Sequence, residues 1–462
     1  MKQLLLAGLS LAVFSPVFAQ KKVLEYPFQL DKRSVEKGEW AAQMQRDFPD
    51  SSGLLILKNN ENTDFVCVDR EFSVKGKIGM PVGKTAPGVR DNELVGSIGK
   101  DGRYELLFNN TSQLVYTLET VDFSASTVVD QPSLELTPDE RFLAHFAGNN
   151  NFYVLASDDK AGQLVVYTIG ASGAITRKSN PFTIPADASK RDKISAYLSQ
   201  PLCLSNRSEY DPIAGTQMRK VFYRPEDVRF VVNDKNGPTH VITVTLPDCR
   251  VSDKAINIGP GTSWLVDDRL FSMVVTKGEL TVFAHNPATG QLLKKYSISA
   301  DAGAEMLAET PKYEKWNHKL VSSKEQDVKK AVRAFSDDVK GIWAVPTEDG
   351  RVMVMLCTFD FSIQYSRWST GSTGPATHGG FQPSGTAVGG NAPPPVWVPN
   401  SVTSTFSTTL SYVKLKPAYR WYGRTDVRLL LDPATLKPMQ GKTARPVSDE
   451  VEDYVGTAEK RR

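Results

Sequence analysis

The side chains able to do chemistry are spread thinly along the chain. Five histidines, His145, His240, His285, His318 and His378, lie far apart, and no pair has the i, i+2 or i, i+4 spacing of a local metal site. His145 and His285 each sit inside an apolar run, the setting of a core histidine rather than a ligand. Asp69, Asp130, Asp267 and Asp268 follow valine-rich segments. Carboxylates in such places hold turns; where strand ends ring a channel they can also converge as an acid and a base. No DxDxDG loop accompanies them, which speaks against calcium. No metal and no cofactor is expected, and no residue is assigned a catalytic role.

Two short motifs imitate catalytic signatures. GMPVGKT, residues 79–85, has the ending of a phosphate-binding loop but only Met80, Pro81 and Val82 between its glycines, one residue too few to cradle a phosphate. A turn is expected there. GTS at 261–263 reads as a turn leading into the strand of Trp264, and neither a GxSxG elbow nor an HExxH pair occurs.

Four cysteines are present. Cys67 in FVCVD and Cys357 in VMLCTF are flanked like core positions, whereas Cys203 in PLCLSN and Cys249 in LPDCRV occupy turn-like settings. A Cys203–Cys249 disulfide is therefore the favoured pairing.

Residues 368–413 contain no Asp, Glu, Lys or Arg. Gly, Ser, Thr and Pro dominate the part up to Asn400, a composition that cannot bury enough surface to offset its ordering entropy. Residues 369–400 read as a low-complexity, flexible extension of a hairpin. Its aromatics Trp368, Phe381 and Trp397 are the candidate anchors for a protein or glycan partner.

The elements that would position these groups are strands. In RLFSMVVTKGELTVFAHNPATGQLLKKYSIS, residues 269–299, Leu280, Val282 and Ala284 fall on one face of a strand, and Thr281, Phe283 and His285 on the other. Both faces are largely apolar, so the strand lies between two layers. Lys277-Gly278 and Pro287 with Gly290 supply the turns. The same grammar recurs at 53–78, 93–123, 139–186 and 227–258, and RLLLDPATLKPMQG at 428–441 repeats the strand, turn and strand order of TVFAHNPATGQLLKK.

Repeated antiparallel meanders of this size predict an all-β, β-propeller-like ring of six to eight blades; a large β-sandwich pair is the alternative. Two short helices are expected to decorate it. One lies in the leading segment 20–50, where Trp40, Met44 and Phe48 recur at i, i+4 and i+8. The other follows Ser322-Ser323 and Glu325-Gln326 in capping-box spacing, with Val328, Val332 and Phe335 as its apolar stripe and Lys324, Lys329, Lys330 and Arg333 on a solvated face.

Residues 1–19 have the form of a cleavable signal peptide: Lys2, an apolar LLLAGLSLAVF core, then Val17-Phe18-Ala19 before Gln20. Export to a bacterial periplasm or the cell exterior is expected, with residues 51–462 as a single propeller-like domain ending in a charged tail from about 447. No later apolar run is long enough to span a membrane. The net charge of +3 carries no footprint for nucleic acid. Two functions fit: a non-catalytic exported platform that binds a protein or glycan, or a carbohydrate hydrolase or lyase whose acids converge from separate blades.

Overall fold

The computed structural model describes residues 41–45, 52–58, 62–81, 93–100, 102–110, 114–131, 133–186, 193–198, 202–205, 214–234, 237–317, 321–336, 339–362 and 421–441. The leader, the extension at 369–400, the charged tail, Trp40 and Phe48 lie outside them.

Among the described residues, six sheets follow one another along the chain. The first holds β1 (Ala41–Gln45), β2 (Gly53–Lys58), β3 (Asn62–Val68) and β4 (Val74–Pro81). In the second are β5 (Glu93–Lys100), β6 (Arg103–Asn110), β7 (Val115–Asp122) and β8 (Thr127–Asp130), with the short β9 (Leu134–Glu135) also on β7. The third is the meander β10 (Glu140–Gly148), β11 (Asn151–Asp158), β12 (Gln163–Gly170) and β13 (Ile175–Pro181). The fourth runs β15 (Arg219–Tyr223), β16 (Asp227–Asn233), β17 (Thr239–Thr245) and β18 (Arg250–Ile256), and β14 (Leu202–Ser205) adds to β15 in parallel. β19 (Thr262–Val266), β20 (Arg269–Thr276), β21 (Glu279–His285) and β22 (Leu292–Ser299) make the fifth. The sixth is assembled out of order as β24-β23-β27-β26-β25, from β23 (Lys312–Asn317), β24 (Val321–Glu325), β25 (Val339–Pro346), β26 (Val352–Ser362) and β27 (Trp421–Leu431).

Packing explains the doubly apolar strands. One hydrophobic cluster joins the first sheet to the second, another the second to the third, a third the third to the fourth, and the largest spans the fourth, fifth and sixth. Sheets stacked face to face in succession are a propeller-type arrangement, and the sandwich pair is excluded because no two sheets alone enclose the core. Burial falls across each meander: β19 is buried throughout, while the first half of β22 and most of β13 and β18 are exposed. Leu280, Val282 and Ala284 are fully buried on one face of β21, with Thr281 and His285 buried on the other.

The turns repeat as the sequence suggested. Gly278 and Gly290 both adopt positive φ, 79° and 76°. Asn286 Oδ1 accepts from Ala288 N and Thr289 N in the NPAT turn, and Asp432 Oδ1 accepts from Ala434 N and Thr435 N in the DPAT turn. Among the described residues the second turn leads back to a Leu431–Pro438 bridge on β27.

Two local expectations are corrected. Residues 41–45 form a strand rather than a helix, with Met44 opposite Leu55, because the neighbouring β2 edge offers a ladder that a single helical turn cannot match. Ser322 and Ser323 belong to β24, and the helix α2 (Val328–Ala334) starts instead at Asp327, whose side chain accepts from Lys330 N. Val332 and Phe335 of its stripe are buried. A one-turn helix not anticipated, α1 (Ile194–Leu198), buries Ile194, Tyr197 and Leu198 against the third and fourth sheets.

Candidate functional site

The aromatics proposed as anchors, Trp368, Phe381 and Trp397, lie outside the described residues. The disulfide is contradicted. Cys249 is a buried thiol that donates to Leu164 O. It precedes β18 at one edge of the fourth sheet, and Cys203 lies in β14 at the other. Four strand spacings separate those edges, roughly 19 Å, about three times the Cα separation a disulfide spans.

Strand-end aspartates are engaged in structure. Asp69 Oδ1 accepts from Glu71 N and Ser73 N and its other oxygen pairs with Lys75, which holds the carboxyl below its usual range. Asp268 pairs with both Arg224 and Arg229, tying the fifth sheet to the fourth. Burial raises the Asp130 carboxyl. His145 is a core residue beside the Tyr116 hydroxyl at 3.2 Å, and burial lowers it to about 3. His240 Nδ1 meets Asp253 at 2.9 Å. No group of three His, Cys, Asp or Glu suited to a metal occurs among the described residues.

Polar groups gather at several places among the described residues, two of them where sheets meet. The first is a cavity of about 450 Å³ at one rim, where turns of the first and second sheets meet. Ser52, Cys67, Val68, Asp69, Lys75, Gly76, from the first sheet, face Gly102, Phe123 and Ser124 from the second. Its size falls within the range of small-molecule pockets. A chain of hydroxyl and thiol runs beneath it: Tyr104 Oη lies 2.7 Å from Ser52 Oγ and 3.1 Å from Cys67 Sγ. Phe123 forms one wall, edge-on to Tyr104 at 5.8 Å between centroids. It can do so because residue 76 is glycine; a Cβ there would come within 2.8 Å of the Phe123 ring.

The second place is the meeting of the fourth, fifth and sixth sheets. Here β19 packs against β25 and β16. Trp264 touches Phe222 edge-on at 5.5 Å and Trp343 at 6.4 Å. Gly215 lies against the Ile342 carbonyl, so closely that a Cβ would approach it to 2.8 Å. Lys220 is fully buried among them, donating to Gln217 O and to Thr262 Oγ1 at 3.1 Å, with Nζ 6.0 Å from the Trp264 ring. Burial pulls this ammonium down to about 7, with Cys357 opposing the shift.

On the sixth sheet, Arg424 holds two carboxylates, Glu314 at 2.7 Å and Asp426 at 2.9 Å, and Arg428 reaches Glu309 at 2.8 Å. Burial raises the Asp426 carboxyl against the pull of both arginines.

No family model matches the chain, and no curated protein matches its sequence. Among solved structures, the chain is similar to a prolyl endopeptidase at 11% identity and a TM-score of 0.27, over 66% of this chain and 37% of that one. It is similar to the WD40 domain of SCAP from fission yeast at 10% identity and a TM-score of 0.29, over 69% and 70% of the two chains. A third likeness is to the β-propeller domain of the trilobed protease from Pyrococcus furiosus, at 7% identity and a TM-score of 0.26 over 68% and 77%. This chain thus spans little more than a third of that prolyl endopeptidase. Likeness at this level transfers no residue, substrate or activity.

Proposed function

We propose that the protein is an exported platform that holds a protein or glycan partner without turning it over. The observation that carries this reading is that strand-end carboxylates are held by cations, Asp69 by Lys75 and Asp268 by Arg224 and Arg229, rather than placed as an acid and a base. The competing reading, a carbohydrate hydrolase or lyase, needs two carboxylates able to exchange protons with substrate. Glu314 and Asp426 share a patch, but Arg424 is paired with both. Trp368, Phe381 and Trp397 remain the proposed anchors on composition alone.

The test is co-sedimentation of the mature chain with insoluble polysaccharides, with reducing ends assayed in the same tubes. Retention without new reducing ends, weakened by Trp397→Ala at unchanged melting temperature, is expected. Release of reducing ends that disappears in Asp426→Asn would overturn the proposal in favour of the hydrolase. Export is tested separately by N-terminal sequencing of secreted material: a start at or near Gln20 is expected, and an intact Met1 species would contradict it.

A further inference from the structure

We infer that the outer edge at β22 is a docking surface for an acidic, extended protein segment, lying along Lys294 and Lys295 with apolar side chains against Leu292 and Leu293. Among the described residues β22 pairs only with β21, so its other side is an open strand edge. Its first four residues are all exposed, Leu292 at 50% and Leu293 at 41%. The last strands of three other sheets neutralise their cations. On β4, Lys75 and Lys77 pair with Asp69 and Asp64; on β13, Arg177 and Lys178 pair with Glu140 and Asp248; on β18, Arg250 pairs with Asp248. Lys294 and Lys295 have no carboxylate partner among the described residues, and of these four edges β22 alone sets two exposed leucines beside its cations.

Charge selects the occupant. Lysines on a sheet edge turn away apolar and basic strands, because pairing with them would bury or crowd the ammonium groups. A strand that brings carboxylates is favoured instead. Successive strand residues point to opposite faces, so Lys294, opposite Ala284, and Lys295, opposite Phe283, present one ammonium on each face of the sheet. The Lys295 Nζ lies 5.9 Å from the Phe283 ring. A segment added to this edge through main-chain hydrogen bonds would match it with two consecutive carboxylates, and apolar residues beside them would cover the leucines. A bulge leaves Leu293 without an opposite residue on β21, so regular pairing runs from Lys294 onward. From the fourth sheet Lys254 adds a third cation: it reaches the turn that leads into β22, where a Cβ on Gly290 would lie 2.8 Å from the Lys254 Cε. Its neighbour in sequence, Asp253, is engaged by His240 Nδ1 at 2.9 Å. The inference needs neither export nor the anchors Trp368, Phe381 and Trp397, so it and the proposed function can fail separately.

The experiment titrates the native full chain into a fluorescein-labelled peptide that carries two adjacent glutamates followed by two valines in a serine and threonine background. Anisotropy is read at about 50 and about 500 mM salt. Saturable binding is expected, weakened about fivefold or more at the higher salt and about tenfold by the double variant Lys294→Glu, Lys295→Glu. Leu292→Ser should weaken it by a smaller factor, and all these variants should melt like the parent because the side chains are exposed. The matched double variant Lys178→Glu, Arg250→Glu, on edges whose cations are already paired, should bind within about twofold of the parent. Absence of saturable binding, or equal losses in the two double variants, would overturn the inference. Retention on phosphatidylglycerol vesicles without binding of the peptide would overturn it in favour of a lipid surface.

Discussion

The rim between the first two sheets and the meeting point of the last three are built from similar strands, yet they treat polar groups in opposite ways. At the rim, Gly76 and Gly102 leave space, and Ser52, Tyr104, Cys67 and Lys75 are gathered around a cavity. In the interior, glycine does the reverse: Gly215 and Gly341 let backbones touch, and buried Lys220 meets Gln217 O, Thr262 and the Trp264 ring. The same residue type opens one region and closes the other, depending on whether a side chain or a backbone fills the place of the missing Cβ.

Truncation distinguishes the two regions most strongly. Trp264→Ala removes a fully buried indole from a packed cluster and is expected to cost about 3–5 kcal/mol in denaturant melts. Phe123→Ala, at the half-buried wall of a cavity that already holds solvent space, is expected to cost about 1 kcal/mol. Equal losses would mean that the rim is packed as tightly as the interior.

Gly215→Ala comes next. The added methyl would meet the Ile342 carbonyl at 2.8 Å, and backbone has little freedom to yield, so about 1–3 kcal/mol should be lost. A neutral result in thermal melting would show that the two sheets can separate without cost.

The buried amine sharpens the comparison through pH. An unfolded lysine stays protonated up to about 10.4, whereas burial brings Lys220 down to about 7. Between these values the unfolded chain binds more protons than the folded one, so stability contributed by this group rises with pH across that window. Lys220→Met should flatten the rise and leave the protein at least as stable at pH 7, because the replacement buries no charge. A wild-type profile without a Lys220-dependent slope would contradict the placement of the amine.

Much of the architecture was legible because strand periodicity and turn chemistry are local. Leu280, Val282 and Ala284 announce a buried face within five residues, and NPAT and DPAT make the same side-chain-to-backbone turn. What failed was the inference from short spacing to distant partners. Trp40, Met44 and Phe48 fit a helical stripe, but a strand edge at Leu54–Lys58 captured residues 41–45. Cys203 and Cys249 look alike in sequence yet lie on opposite edges of one sheet. The rim cavity left no trace for a related reason: Ser52 and Tyr104 are 52 residues apart, and Cys67 and Tyr104 are 37 apart, so only the stacking of two sheets joins them. Lys220 left only a weak signal, the second of two adjacent cations at the start of the strand RKVFY, just before apolar Val221 and Phe222.

The contrast between a closed interior and an open rim is tested most directly by hydrogen–deuterium exchange of the native chain. Peptides covering β19 and β25 should exchange last, near the limit set by global unfolding, while those covering the turns at 69–73 and 123–126 exchange early. Exchange of β19 and β25 at the rate of the rim turns would contradict a filled interior at the meeting of the fourth, fifth and sixth sheets.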